Sequence, residues 1–279
     1  MFTHPYIRCQ PSVTVLLAAA ILASAGGAAA QVGLGLSPMR EELKLAPGGQ
    51  HSGILMLTND SPGKVRVAAE LLDFYIDSTT TPQFGRQYPQ EAEYSCRQWL
   101  LVNPMEMELN GNGQTPVRYT IRAPQAATER SYHCAIGFTT QPTAADVKGT
   151  GFRTAVQIIS ALYAVIGKPA MEGWLKDLKL EYVPSPKQPG WRAVVVIANP
   201  SLMHFRPSGD LDVLDEAGSV VESAKFASAP VLPKRDQNFI FPLQLAGGPG
   251  RYTLRARVDL GANEIQEATA LVVAARPNP

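Results

Sequence analysis

Cysteine is scarce in this 279-residue chain, where Cys9, Cys96 and Cys134 are the whole set. Histidine is nearly as scarce, with four residues at positions 4, 51, 133 and 204. None of them falls in an HExxH pattern or at zinc-ligand spacing from another. His133 adjoins Cys134, but neighbours on a strand point to opposite faces, which argues against a shared metal site. No GxSxG elbow, phosphate-cradling glycine loop or Cys/His nucleophile pattern occurs. Asp210 and Asp212 would share a strand face, yet near a turn they read as solvation and hairpin signals. Neither catalysis nor a metal or other cofactor is therefore expected. Net charge is also lacking, with 25 Lys and Arg against 24 Asp and Glu. A chain so nearly neutral has no electrostatic reason to hold nucleic acid or anionic lipid. Long apolar runs are missing as well: neither Val13–Ala25 nor Thr154–Ile166 reaches the ~20 residues of a membrane-spanning helix.

What is present begins with an N-terminal segment of export character. Arg8 is the only charge before residue 31, an apolar run follows, and Ala28-Ala29-Ala30 closes it. That is the pattern of a cleavable secretory signal peptide over residues 1–30. Cys9 and Arg8 leave with it, so 24 basic residues then face 24 acidic ones. No integral membrane segment is expected after cleavage. The two remaining cysteines, in an oxidising compartment, suggest one disulfide, Cys96 to Cys134. In the chain-entropy model its closure is worth roughly 3.5–4 kcal/mol. The expected location is the periplasm or the cell exterior.

Strand patterns dominate the rest, and no capped helix of three turns is legible. Seven candidates occupy the first half: 33–45, 52–58, 64–76, 99–108, 116–123, 131–140 and 153–167. About seven more follow, beginning with WLKDLKLEYV at Trp174 and ending with EATALVV. Turn-punctuated short strands in two such series predict two immunoglobulin-like β-sandwiches in tandem, over 31–167 and 168–279. The link near 167–173 is short, which implies a fixed angle. Tyr252 lies at the entry of a late strand, either as a tyrosine corner or as an ordinary half-buried strand residue. The long polar-aromatic segment Asp73–Tyr94 is open between a lid and a rigid loop.

The stretch RTAVQIISALYAVIG, Arg153–Gly167, has no charge between its ends. Its β-branched and aromatic residues favour a strand. One reading is a central strand buried on both faces. The other is an unblunted sheet edge reserved for a strand from another chain.

Several segments together carry a family resemblance. Gly35–Ser61 holds a strand with a basic residue, a Pro-Gly turn and a strand ending in Thr-Asn. Trp99–Pro104 with NGNGQTPVRYTIR follows, then RSYHCAIGFTTQP, then RTAVQIISALYAVIGKP. In pattern and order these resemble the first domain of the periplasmic pilus-assembly chaperones. The resemblance implies a chaperone that donates its seventh strand to an incompletely folded pilin-like or other secreted subunit. An outer-membrane usher would be the further partner. It implies that Val156, Ile158, Leu162, Ala164 and Ile166 form the donated face. It also implies an anchor for the client's terminal carboxylate, with Arg40, Gln157 and Arg153 as the candidate residues, and the guanidinium of Arg40 is suited to that role. The family's second basic residue is a Lys in the seventh strand. Aligned on Arg153, that place is taken by Gln157, and no Lys occurs from Thr154 to Ile166. This departure allows a client other than a standard pilin. The alternative function is a structural or adhesive surface protein of two immunoglobulin-like modules.

Overall fold

The computed structural model describes residues 33–141, 155–185, 187, 189–261 and 264–275. The expected signal peptide, residues 1–30, and Arg153 lie outside them. Nearly all regular structure is β. The first series comprises β1 (Leu34–Ser37), β2 (Arg40–Leu45), β3 (Gln50–Asn59), β4 (Val65–Ile76) and β5 (Pro82–Gly85). It continues with β6 (Leu100–Asn103), β7 (Glu106–Leu109), β8 (Gln114–Arg122), β9 (Ser131–Gln141) and β10 (Gln157–Ile166). Two 3-10 turns, Pro89–Tyr94 and Arg97–Trp99, lie between β5 and β6.

These strands build two facing sheets. One has the order β1-β3-β8-β6, and the other β2-β10-β9-β4-β5, with β7 also on β4. Two expected strands are broken by prolines, which have no N–H to give a ladder. Pro38 divides 33–45, so the chain pairs with β3 before it and with β10 after it. Pro104 divides 99–108 in the same way, into a partner of β8 and a partner of β4. Leu55, Leu57, Val117, Ile121, Ile136 and Phe138 are fully buried between the sheets.

The second series is β11 (Trp174–Val183), β12 (Gly190–Asn199), β13 (Ser208–Leu214), β14 (Val220–Lys225), β15 (Arg235–Leu243), β16 (Gly250–Asp259) and β17 (Ile265–Ala274). Its sheets have the orders β11-β12-β15 and β14-β13-β16-β17. They enclose a separate core that includes Val195, Ile197, Val213, Phe239 and Leu254. The architecture is thus two β-sandwiches in tandem. Tyr252 Oη donates to the Gly248 carbonyl at 2.8 Å, so the tyrosine-corner alternative is the one realised.

A buried Asn-x-Ser knot closes one corner in each sandwich. Asn59 accepts from the Ser61 backbone and hydroxyl and donates to the carbonyls of Gly63 and Asn110. Asn199 accepts likewise from Ser201 and donates to the carbonyls of Met203, Val231 and Leu232. The polar side-chain atoms that each knot buries thereby find partners.

The segment after β4 is tied down at several points. Cys96 and Cys134 form a disulfide between the turn before Arg97 and β9, with a Cα–Cα distance of 5.2 Å. Asp73 accepts from Ser95 Oγ at 2.5 Å and Arg97 Nε at 3.3 Å. Of the two readings left open by sequence, the loop held against the sheet is the one found.

Candidate functional site

Strand β10 has two unlike halves. Ala161–Ile166 pair with β2 on one side, in parallel, and Ala161–Val165 pair antiparallel with β9 on the other. Gln157–Ser160 pair with β9 alone, and no strand among the described residues occupies their other side. The change falls where β2 begins at Arg40, opposite Ala161. Ala161 donates its N–H to the Met39 carbonyl at 3.0 Å. Alternation along a strand then aims the N–H and C=O of Gln157 and Ile159 at the open side.

The two faces of β10 also differ, in the reverse of the expected sense. Leu162, Ala164 and Ile166 are fully buried in the core of the first sandwich, and Ile158 packs against it. The assignment of Val156, Ile158, Leu162, Ala164 and Ile166 as an outward, donated face is therefore corrected. Val156 precedes the strand and ties its carbonyl to the Thr140 N–H. The opposite face carries Ile159, Ala161 and Tyr163 and meets an apolar cluster of Leu72, Phe74, Ile76 and Ala135. Leu232 of the second sandwich joins this cluster. Both faces of β10 are thus apolar because one serves the core and the other serves the junction between sandwiches.

That junction forms a cleft of about 450 Å3 beside the open half of β10. Met39, Arg40, Gln157, Ile159, Tyr163 and Arg206 are among its lining residues. Arg206 comes from the second sandwich, and its guanidinium stacks 4.7 Å from the Tyr163 ring centre. Both arginines approach one oxygen: Glu42 Oε1 lies 3.1 Å from Arg206 Nε and 3.9 Å from Arg40 Nε. Arg206 Nη1 donates to the Ser228 carbonyl, while Nη2 is buried without a partner among the described residues. Arg40 remains about half exposed, with a side-chain exposure of 47%.

Gln157 lines the same cleft but does not join this group. It lies four residues along β10 from Ala161, the position opposite Arg40, or about 13 Å of backbone. Its amide donates to Thr139 Oγ1 at 3.0 Å. The cation standing with Arg40 is therefore Arg206, not a group on β10. Nothing in the segment MHFRPSG marks Arg206 for this place, since only the docking of the two sandwiches brings it there.

Two carboxylates of the first sandwich hold the second. Glu42 Oε2 accepts from His204 Nε2 at 2.8 Å, and Oε1 accepts from Arg206. His204 Nδ1 lies 2.9 Å from Ser131 Oγ, which also accepts the His204 backbone N–H. Burial raises the Glu42 pKa, but the His204 and Arg206 contacts outweigh it and hold the group below its ordinary value. Glu91, fully buried, accepts from His133 Nε2 at 3.2 Å and from Arg235 Nη2 of β15 at 2.5 Å. Its pKa is lowered in the same way, with burial opposed by His133 and Arg235. Gln237 Nε2 adds a bond to the Asp77 carbonyl at 2.8 Å, and the Ser131 N–H one to the Leu202 carbonyl at 2.8 Å. Among the described residues, no group of three or more His, Cys, Asp and Glu is placed to hold a metal ion. No described helix is long and apolar enough to cross a membrane.

No family model matches the chain, and no curated protein matches it. Solved structures that resemble it include fimbrial chaperones. The class 5 fimbriae chaperone CfaA is 10% identical, with a TM-score of 0.44, over 88% of this chain and 100% of that one. The E. coli chaperone DraB is 15% identical, with a TM-score of 0.44, over 85% and 98%. The chaperone CupB2 of Pseudomonas aeruginosa is 16% identical, with a TM-score of 0.42, over 86% and 100%.

Proposed function

We propose that this protein is a periplasmic chaperone of chaperone–usher assembly, which holds an incomplete secreted protein by pairing with one of its strands. The single observation that carries the reading is the half-open edge of β10, which β2 closes from Ala161 onward and which no described strand covers at Gln157–Ser160. A strand entering there continues the line of β2 and meets the unpaired backbone groups of Gln157 and Ile159. β2 runs parallel to β10. An added strand that is also parallel ends at Arg40, with its carboxylate between the guanidinia of Arg40 and Arg206. An antiparallel one would bring an ammonium group to the same cations. The charges therefore favour the parallel direction, and a client's C-terminal strand. The donor role falls to Gln157–Ser160 and the face of Ile159 and Ala161, and the anchor role to Arg40 and Arg206.

The chemistry required is binding, with no covalent step. Release to an outer-membrane usher would complete the cycle. The test is co-purification of clients from the periplasm with wild-type protein and with Ile159→Asp and Arg40→Ala. Both changes lie on exposed or half-exposed positions and leave the first core intact. Loss of the captured client by variants that remain folded supports the chaperone reading. Undiminished capture by both variants contradicts it and favours a structural or adhesive pair of sandwiches.

A further inference from the structure

The polar-aromatic segment after β4 carries groups that strand pairing does not use. With Trp99 and Tyr132 it surrounds a second pocket of about 280 Å3, which shares no lining residue with the cleft beside β10. Tyr88, Trp99 and Tyr132 give this pocket aromatic surface. The ring centres of Trp99 and Tyr132 are 4.4 Å apart, and Tyr88 meets Tyr75 edge-on at 5.0 Å.

The polar side chains on the lining keep much of their bonding capacity. Asp73 is buried and accepts from Ser95 Oγ at 2.5 Å and from Arg97 Nε at 3.3 Å. Each of its oxygens can accept once more. Arg97 uses only Nε, so its two terminal amino groups have no partner among the described residues. The side chains of Gln87, Gln98 and Tyr88 likewise have no hydrogen-bond partner among the described residues. Charge, by contrast, is cancelled. Asp73 is paired with Arg97, and Glu93, the other carboxylate of the lining, with Arg130. The groups are also fixed before a ligand arrives, which limits the freedom lost on binding. Cys96, between Ser95 and Arg97, is bonded to Cys134 of β9, and the Arg97 backbone N–H donates to Ser95 Oγ at 3.1 Å.

We propose that this pocket binds one pyranose ring of a neutral saccharide. A pyranose has an apolar C–H face, which suits an aromatic ring. Its adjacent hydroxyls suit the forked groups of a carboxylate, an amide or a guanidinium, each of which can hold two at once. A purely apolar ligand would cover the Arg97 and Asp73 groups without replacing their water. A charged ligand finds no uncompensated charge to pair with. The site stands apart from the strand-pairing reading and holds whether or not that reading does.

The test titrates the full chain with glucose, galactose and mannose, read by saturation-transfer NMR. At least one should bind with a Kd on the order of millimolar, as befits so small a ligand. Its 2-amino-2-deoxy and uronic acid analogues should bind about tenfold more weakly. Gln87→Ala and Gln98→Ala, at exposed positions, should each weaken binding about two- to tenfold, the range for one hydrogen bond. Trp99→Ala should abolish it. Trp99 also packs on the first core, so the two glutamine variants decide the matter if Trp99→Ala does not fold. The methyl glycoside of the bound sugar separates two sources of the ring. Equal binding by the glycoside assigns the site to a unit of a glycan chain, and loss of binding assigns it to a free monosaccharide; either result supports a pyranose site. Binding by none of the three sugars would overturn the proposal. So would charged analogues that bind as well as the neutral sugar, or binding that neither glutamine variant weakens.

Discussion

Glu42 of the first sandwich and His204 of the second are 162 positions apart in sequence, yet their side chains meet at 2.8 Å. An ionised carboxylate accepts only, so His204 Nε2 donates to it, while Nδ1 faces Ser131 Oγ at 2.9 Å. Glu91 and Arg235 make the second such link across the junction, between residues 144 apart. The angle between the sandwiches, and with it the cleft, depends on these contacts.

The two carboxylates differ in burial, and the consequences should differ accordingly. Glu91→Ala leaves Arg235 and the buried His133 without their anion, and should cost about 3–5 kcal/mol in denaturant unfolding. Glu42 is 42% exposed, so water replaces much of what Glu42→Ala removes. Its cost should stay near or below about 1 kcal/mol. Equal costs would contradict the inequality of the two links.

Acid should loosen the junction. Both glutamates have folded-state pKa values below their ordinary ones. Their contribution is therefore present above the unfolded-state value of about 4.3 and is lost as pH falls through the lower folded values. Around pH 4 the unfolded chain binds more protons, and stability rises with pH there. A Glu91→Gln variant should be less stable than wild type at neutral pH, with the gap narrowing below about pH 4.5. Thermal melts across pH 3–7 measure this, and a gap independent of pH would contradict it.

The disulfide spans 38 positions, and both cysteines are buried. Replacing Cys96 and Cys134 together by Ala should cost about 4 kcal/mol by the chain-entropy relation. Urea unfolding of the double variant gives the number directly.

The two faces of β10 should respond in opposite ways. Leu162→Ala removes a fully buried side chain and should cost about 2–5 kcal/mol. Ile159→Asp, at a partly buried position on the cleft, should lower the melting temperature less than Leu162→Ala does while abolishing client capture. Circular dichroism melts of the two variants, beside a capture assay, separate them.

Sequence made much of this legible. The alternation in PVRYTIRA and the turn NDSPG predict strands and a corner that the structure contains as β8, β3, β4 and the Asn59 knot. Boundaries failed where a proline let the chain change sheets, at Pro38 and Pro104, because periodicity reports a strand but not its neighbour. The face of β10 was illegible for a different reason. Every residue from Thr154 to Ile166 is uncharged, so alternation carries no sign, and the covering of the outer face by Leu232 is a tertiary event. The place of Arg40 on the cleft followed from resemblance to a known pattern. Those of Arg206, His204, Glu91 and Arg235 did not, since each acquires its role only from a partner more than forty positions away.

Amide hydrogen exchange at Gln157 and Ile159 tests the central claim most directly, measured in the free protein and in the complex with a captured client. In the free protein these two amides should exchange far faster than those of Ala161–Ile166, which already have partners on both sides. In the complex they should slow by orders of magnitude while Ala161–Ile166 change little. If Gln157 and Ile159 are as protected alone as in the complex, the edge is not open, and the account of this protein as a strand-pairing chaperone is contradicted.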